Sequence, residues 1–166
     1  MAFIRHIAIA SENPAEAAEF YKKHFDMKEL WRKPSEGVPG GASGVFLSDG
    51  WIYFAVLWQS PHLPLLGPDQ TSDFLGIHHI GFLVEDQKAT VAELDADGVR
   101  HVQEHPDAPP HPLSTRPEGK DTINEKFIGP DWIQFDVRDR GWNEIIAQGM
   151  QLYELKPVEK PAEETA

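Results

Sequence analysis

The chain predicts an α+β fold of two paired βαβββ modules, with helices packed on one face of the sheet. Three observations point to it. One strand-and-cap pattern occurs twice, apolar residues alternate with a period of two in most segments, and two helix starts fall at matching places in the halves. His6-Ile7-Ala8-Ile9-Ala10-Ser11-Glu12-Asn13 lies over His79-Ile80-Gly81-Phe82-Leu83-Val84-Glu85-Asp86. Trp51-Ile52-Tyr53-Phe54-Ala55-Val56 lies over Trp132-Ile133-Gln134-Phe135-Asp136-Val137. The spacing between these blocks is longer in the second half, and the extra residues fit a loop at 104–122.

Residues 3–10 read as a buried or half-buried strand. Asn13 and Pro14 start a helix, because Asn caps and Pro suits the first helical position. Glu16 completes a box-like pattern, and Ala17, Phe20, Tyr21 and Phe25 carry the helical spacing over 14–24. Residues 28–32, 44–48 and 51–58 read as strands, separated by the glycines at 37–41 and by Asp49-Gly50. Pro and Gly make 59–76 a linker. A strand at 77–84 follows, and Asp86 then caps a helix with Val91 and Leu94 inward and Gly98 just past its end. Residues 99–103, 123–128 and 132–138 close the strand order. The division is thus a first module at 1–58, a linker, a second module at 77–142, and an extension at 143–166 whose Pro- and Glu-rich end is expected to fray.

Composition removes several classes. The 166 residues carry a formal charge of −12 and no cysteine. An acidic surface repels phosphate backbones, so nucleic acid is set aside as a partner. Without cysteine there is no disulfide, thiolate metal site, iron–sulfur cluster or cysteine nucleophile. No apolar run approaches the ~20 residues of a membrane span, and the start shows no secretory signal. No membrane partner and a cytoplasmic location are therefore expected.

Side-chain alternation sorts the strand residues by face. Ile7, Ile9, His78, Ile80, Phe82, Phe54, Val56, Phe135 and Val137 fall on the face assigned to the helices. The opposite face carries His6, His79, Asp136, Tyr53, Gln134, Trp51 and Trp132, with the small residues Ala8, Gly81 and Ala55 between them. That face reads as the wall of a cavity. Two imidazoles and a carboxylate suit a divalent metal with open positions: non-haem Fe(II) first, and also Mn(II), Zn(II) or Ni(II). Ala55, the repeat partner of Asp136, cannot ligate. Tyr53 reads equally as an acid–base group or as an aromatic wall. Trp51, Trp132 and Gln134 are expected to contact substrate, although the two tryptophans also suit a subunit contact. His101, His105, His111 and Arg116 belong to a surface loop or to a lid over the pocket.

These residues resemble the vicinal oxygen chelate superfamily, which includes glyoxalase I, methylmalonyl-CoA epimerase, fosfomycin-resistance transferases, bleomycin-resistance proteins and extradiol dioxygenases. The matching stretches are Arg5-His6-Ile7-Ala8-Ile9, Phe20-Tyr21 with Phe25-Asp26-Met27, His78-His79-Ile80-Gly81-Phe82, and Gly129-Pro130-Asp131 leading to Phe135-Asp136-Val137. The resemblance covers about residues 3–142 and implies a cupped mixed sheet that holds a divalent metal. It also implies His6, His79 and Asp136 as ligands, with Asp136 where relatives usually carry Glu.

The three-donor set looks like that of extradiol dioxygenases. It implies an iron-dependent oxidoreductase that cleaves an aromatic diol or similar vicinal-oxygen compound, with Tyr53 or a loop histidine assisting proton transfer. Two other readings stand beside it. One is a glyoxalase- or epimerase-type lyase or isomerase using the same metal. The other is a metal-free small-molecule binding protein of the resistance type. A homodimer covering the sheet edges is expected.

Overall fold

The computed structural model describes residues 2–58, 75–101, 125–130, 133–151 and 153. Residues 59–74 of the linker expected at 59–76, the whole of the loop expected at 104–122, Trp132 and the end of the chain from 154 lie outside the described residues, as do the expectations placed on them.

The fold is α+β. The first module supplies β1 (Phe3–Ser11), α1 (Pro14–Phe25), β2 (Lys28–Pro34), β3 (Ala42–Ser48) and β4 (Tyr53–Trp58). The second supplies β5 (Gly76–Leu83), α2 (Gln87–Ala96), β6 (Arg100–His101), β7 (Glu125–Ile128) and β8 (Gln134–Arg138), and α3 (Trp142–Gln151) follows. All strands join one eight-stranded mixed sheet in the order β2-β3-β4-β1-β5-β8-β7-β6. Within each module the first strand pairs parallel with the last, β1 with β4 and β5 with β8. The two modules meet where β1 and β5 pair antiparallel.

Local chemistry explains the helices. Asn13 caps α1 by accepting from the Glu16 backbone N–H at its Oδ1, 3.3 Å away, and its side-chain Nδ2 donates to the Glu16 carboxylate at 3.1 Å. Asp86 caps α2 by accepting from Ala89 N at 2.9 Å. Val91 and Leu94 are half-buried, as the spacing requires. Gln87 ties α2 to the sheet by donating to the Val137 carbonyl at 2.9 Å.

The first core lies where the alternation puts it. Ala18, Ala42, Val45, Leu47 and Val56 are fully buried, with Ile9, Ala17, Tyr21, Met27 and Phe54 packed around them. This is α1 against one face of the first module. The other face is not an open cavity wall, which corrects the sequence reading. There α3 buries Trp142, Ile146 and Met150 against Leu30 and Tyr53, with Phe46, Leu83 and Ile145 beside them.

The extension at 143–166 therefore begins as a core helix, started by Trp142 from within the expected second module. Its apolar residues at 142, 145, 146, 149 and 150 form one helical stripe. Glu144 reaches back to the Gly141 amide at 2.7 Å, half of a capping box. Beyond the helix, the Tyr153 hydroxyl donates to the Glu29 carbonyl at 2.5 Å, which fastens this end of the chain to β2. No described helix is long and apolar enough to cross a membrane.

Two glycines make this docking possible. A Cβ on Gly81 would meet the Trp142 ring at 2.5 Å, and one on Gly149 would meet Leu30 Cδ2 at 2.4 Å and Cβ at 2.9 Å. Gly149→Ala therefore sets a helix-propensity gain of about 1 kcal/mol against overpacking of about 1–3 kcal/mol. The contact with Leu30 Cβ cannot be relieved by a rotamer change, so the variant is expected to be net destabilised. A lower urea midpoint at unchanged m-value would show it, and an equal or higher midpoint would mean that α3 is loosely seated.

Candidate metal centre

β1 and β5 cross about Ile7 and Ile80, which are paired in the register. On either side His6 faces Gly81 and Ala8 faces His79. Each imidazole thus lies across from a residue with little or no side chain. A Cβ on Gly81 would stand 2.6 Å from His6 Cβ. The absence of that atom lets the two rings approach, and His6 Nε2 sits 3.0 Å from His79 Nε2.

Asp136 enters from β8, where it pairs with Gly81, and its Oδ2 lies 3.4 Å from His79 Nε2. One donor atom from each of His6, His79 and Asp136 falls within 4.8 Å of the others, and all three residues are buried. Ala55 pairs with Ala8 as Asp136 pairs with Gly81, so the fourth symmetric position carries a methyl group.

Two bulges aim the histidines. Between Ile4 and His6 the β1–β5 register shifts, which leaves Arg5 as the extra residue, and between Ala8 and Ile9 the same happens at His78. Bulges re-aim side chains in this way. His78 is consequently not on the helix face that simple alternation assigns to it. It is buried, with its Nδ1 2.5 Å from His79 Nδ1. Arg5 is buried as well; its guanidinium lies 4.1 Å over the Trp51 ring, and its Nε donates to Asn143 on α3 at 2.9 Å.

The hydrogen bonds dictate tautomers. The Tyr53 carbonyl only accepts, so His6 Nδ1 carries the proton and donates to it at 2.7 Å. His6 Nε2 then presents a lone pair to the centre. In the ion-free chain His79 Nε2 donates to that lone pair, and His78 Nδ1 donates to His79 Nδ1. His78 Nε2 is left as a buried nitrogen with no partner among the described residues.

Burial keeps these rings neutral. It pushes His6 and His78 down to about 4. His79 falls well below its ordinary value for the same reason, with Lys126 adding to the effect. Neutral imidazole is the form that ligates.

The donor set fits a divalent cation. His6 Nε2, His79 Nε2 and a carboxylate oxygen of Asp136 would hold it, the two nitrogens lying 3.0 Å apart. Were His79 to ligate through Nε2, its proton would sit on Nδ1, where His78 Nδ1 would accept it and hold the ring in place.

Two residues at the centre were not singled out from sequence. Lys126 pairs across the β7–β8 ladder with Asp136 and forms an ion pair with its Oδ1. Trp142 stacks on His6 with ring centres 5.3 Å apart, and the Arg138 guanidinium lies 4.9 Å over the same indole. The helical spacing of 142–150 carried the signal for Trp142. Lys126 needed the register.

The remaining expected site residues are placed as follows. Tyr53 is buried, its hydroxyl accepts from Trp31 Nε1 at 2.9 Å, and its ring centre is 5.3 Å from that of His6. Burial pushes its phenol above the ordinary value. Gln134 is buried two residues before Asp136. Trp51 precedes β4 and packs edge-on against Phe3. His101 belongs to β6, where it pairs with Phe127. Trp132, His105, His111 and Arg116 lie outside the described residues.

Comparisons with known proteins follow this geometry. The model of the Glyoxalase/Bleomycin resistance protein/Dioxygenase superfamily matches residues 5–113. The chain is 26% identical to glyoxalase I of Saccharomyces cerevisiae over 158 residues, which is 82% of the chain and 45% of that protein. It thus spans about half the length of that curated relative. A methylmalonyl-CoA epimerase of Streptomyces coelicolor, solved with 2-nitronate-propionyl-CoA, superposes with a TM-score of 0.53 at 22% identity, covering 81% of this chain and 92% of that one. A hypothetical protein of Bacillus halodurans superposes with a TM-score of 0.51 at 18% identity, covering 84% of this chain and 96% of that one. These likenesses show the fold. The named enzymes among them are a glyoxalase and an epimerase rather than ring-cleaving dioxygenases.

The buried histidines make ion-free stability depend on pH. A folded-state value near 4 against 6.5 unfolded means the unfolded chain binds more protons between those limits. The contribution is complete above about 6.5 and is lost as pH falls toward 4. Chelator-treated protein should lose several degrees of Tm between pH 7 and pH 5, with a shallower slope in His78→Phe. Equal slopes in the two proteins would show that His78 is not buried in its neutral form.

Proposed function

The chain belongs to the glyoxalase/bleomycin resistance/dioxygenase superfamily, and on that premise we propose that it is a metal-dependent isomerase or lyase that moves a proton next to a carbonyl group. The observation that carries this reading is the convergence of His6, His79 and Asp136 within 4.8 Å, in a fold shared with the epimerase. The substrate class is a small molecule with two oxygens on neighbouring carbons or across a short spacer. When bound, a divalent ion would supply Lewis acidity that stabilises the enolate oxygen.

The chain's own residues supply the rest. His6, held by the Tyr53 carbonyl, presents a lone pair from a fixed ring, and His79, held by His78, would present one with its proton on Nδ1. Trp142 covers His6 and excludes water from the first-module side. Tyr53 keeps its phenolic proton and acts as a donor rather than as a base. Gln134, Trp51 and Trp132 remain the proposed substrate contacts. The ring-cleavage reading is the weaker one, because it draws on the three-donor set alone while the named relatives point to proton transfer. Iron has no particular support over Mn(II), Zn(II) or Ni(II). A homodimer belongs to the proposal, and the exposed Phe20 and Phe25 on α1 offer it an apolar surface.

Metal analysis of protein purified without chelator should find a divalent ion in wild type and none above background in His79→Ala. Methylmalonyl-CoA and α-hydroxy ketones incubated in D2O should then exchange the hydrogen next to the carbonyl, followed by NMR. Oxygen uptake with catechols and no exchange would transfer the assignment to ring cleavage. A wild type that takes up no ion would leave a binding protein.

A further inference from the structure

Lys126 has no role in the reading above, yet it occupies the one carboxylate of the centre. It stands across the ladder from Asp136, and its ammonium forms an ion pair with Oδ1. The side chain of Asp136 is 3% exposed and that of Lys126 32%, so the lysine joins the buried centre to solvent. Arg138 lies on the same face of β8, two residues beyond Asp136. In a chain of net charge −12 these two cations reverse the local sign. On the first-module side, α3 and Trp142 close the centre. On the opposite side the centre reaches solvent through Lys126.

A buried carboxylate is costly without a partner. In the ion-free chain Lys126 is that partner. A divalent ion at the same carboxylate would take over the pairing and repel the ammonium, which swings outward on its flexible stem. It then stands beside the ion with its charge unmatched. We propose that Lys126 is an exchangeable counter-ion that leaves Asp136 when the metal binds and then receives the carboxylate of an anionic substrate chelated at that metal. This rests on the metal-site reading and narrows its substrate to carboxylates able to place a second oxygen on the ion.

The test uses full-length protein with Mn(II), and two chelating probes. Oxalate chelates through one oxygen of each carboxylate and keeps two charged outer oxygens free, whereas acetohydroxamate uses both of its oxygens in the chelate and keeps none. Calorimetry of Lys126→Met should show tighter Mn(II) binding in the absence of probe, because the competing ammonium is gone. Oxalate should bind the Mn(II)-loaded variant about tenfold or more weakly, the scale of a lost charged hydrogen bond. Acetohydroxamate should change little, and Lys126→Arg should restore the oxalate preference.

A merely structural lysine would not move metal and oxalate affinity in opposite directions. Weaker Mn(II) binding in Lys126→Met, or equal losses for both probes, overturns the exchange while leaving the metal site standing. Wild-type protein that binds no Mn(II) overturns the metal-site reading and the exchange with it. Should Lys126→Met fail to fold by circular dichroism, Lys126→Gln carries the same comparison.

Discussion

β1 and β5 meet antiparallel about Ile7 and Ile80, and that pairing places each imidazole opposite a residue with almost no side chain. Shifting either strand by one residue against the other would put the two histidines on opposite faces, because strand side chains have a period of two. The close approach of His6 and His79 is therefore a property of the module junction, not of either module alone. Neither half contains the site. Asp136 enters through the parallel pairing of β5 with β8, one strand away from the same junction.

Gathering neutral imidazoles and a carboxylate in the interior is expensive unless each is satisfied. The tautomer chain from His78 through His79 and His6 to the Tyr53 carbonyl satisfies most of them. The unpartnered nitrogen of His78 sits at the chain's end. The hydrogen-bonded chain holds His6 Nε2 and His79 Nε2 3.0 Å apart. Preorganisation of this kind reduces the ordering cost of binding.

The pseudo-symmetry of the modules is broken on purpose-bearing positions. Ala55 stands where the second module has Asp136, and α3 packs chiefly on the histidine face of the first module while reaching Gly81 and Leu83 of β5. These two asymmetries agree with each other. The half that lost its carboxylate is the half sealed by Trp142, Ile146 and Met150. Lys126 and Arg138 stand on the second-module side, on β7 and β8.

Much of this was legible in the residues. The duplicated His-Ile-small-apolar pattern located β1 and β5, the caps at Asn13 and Asp86 located α1 and α2, and alternation put His6, His79 and Asp136 on one face. The helix at 142–151 was also written in its spacing, but a Pro- and Glu-rich continuation masked it as an extension. His78 and Lys126 were not legible. A bulge reverses the alternation at His78, and the partner of Lys126 depends on which residue of β8 stands opposite. Sequence alone determined the module, its strands and the ligand-type residues, because these follow from local periodicity and side-chain chemistry. Tertiary structure decided which of those residues meet, which half is sealed and which cation holds the carboxylate, because register, bulges and helix docking are set by contacts between segments far apart in the chain.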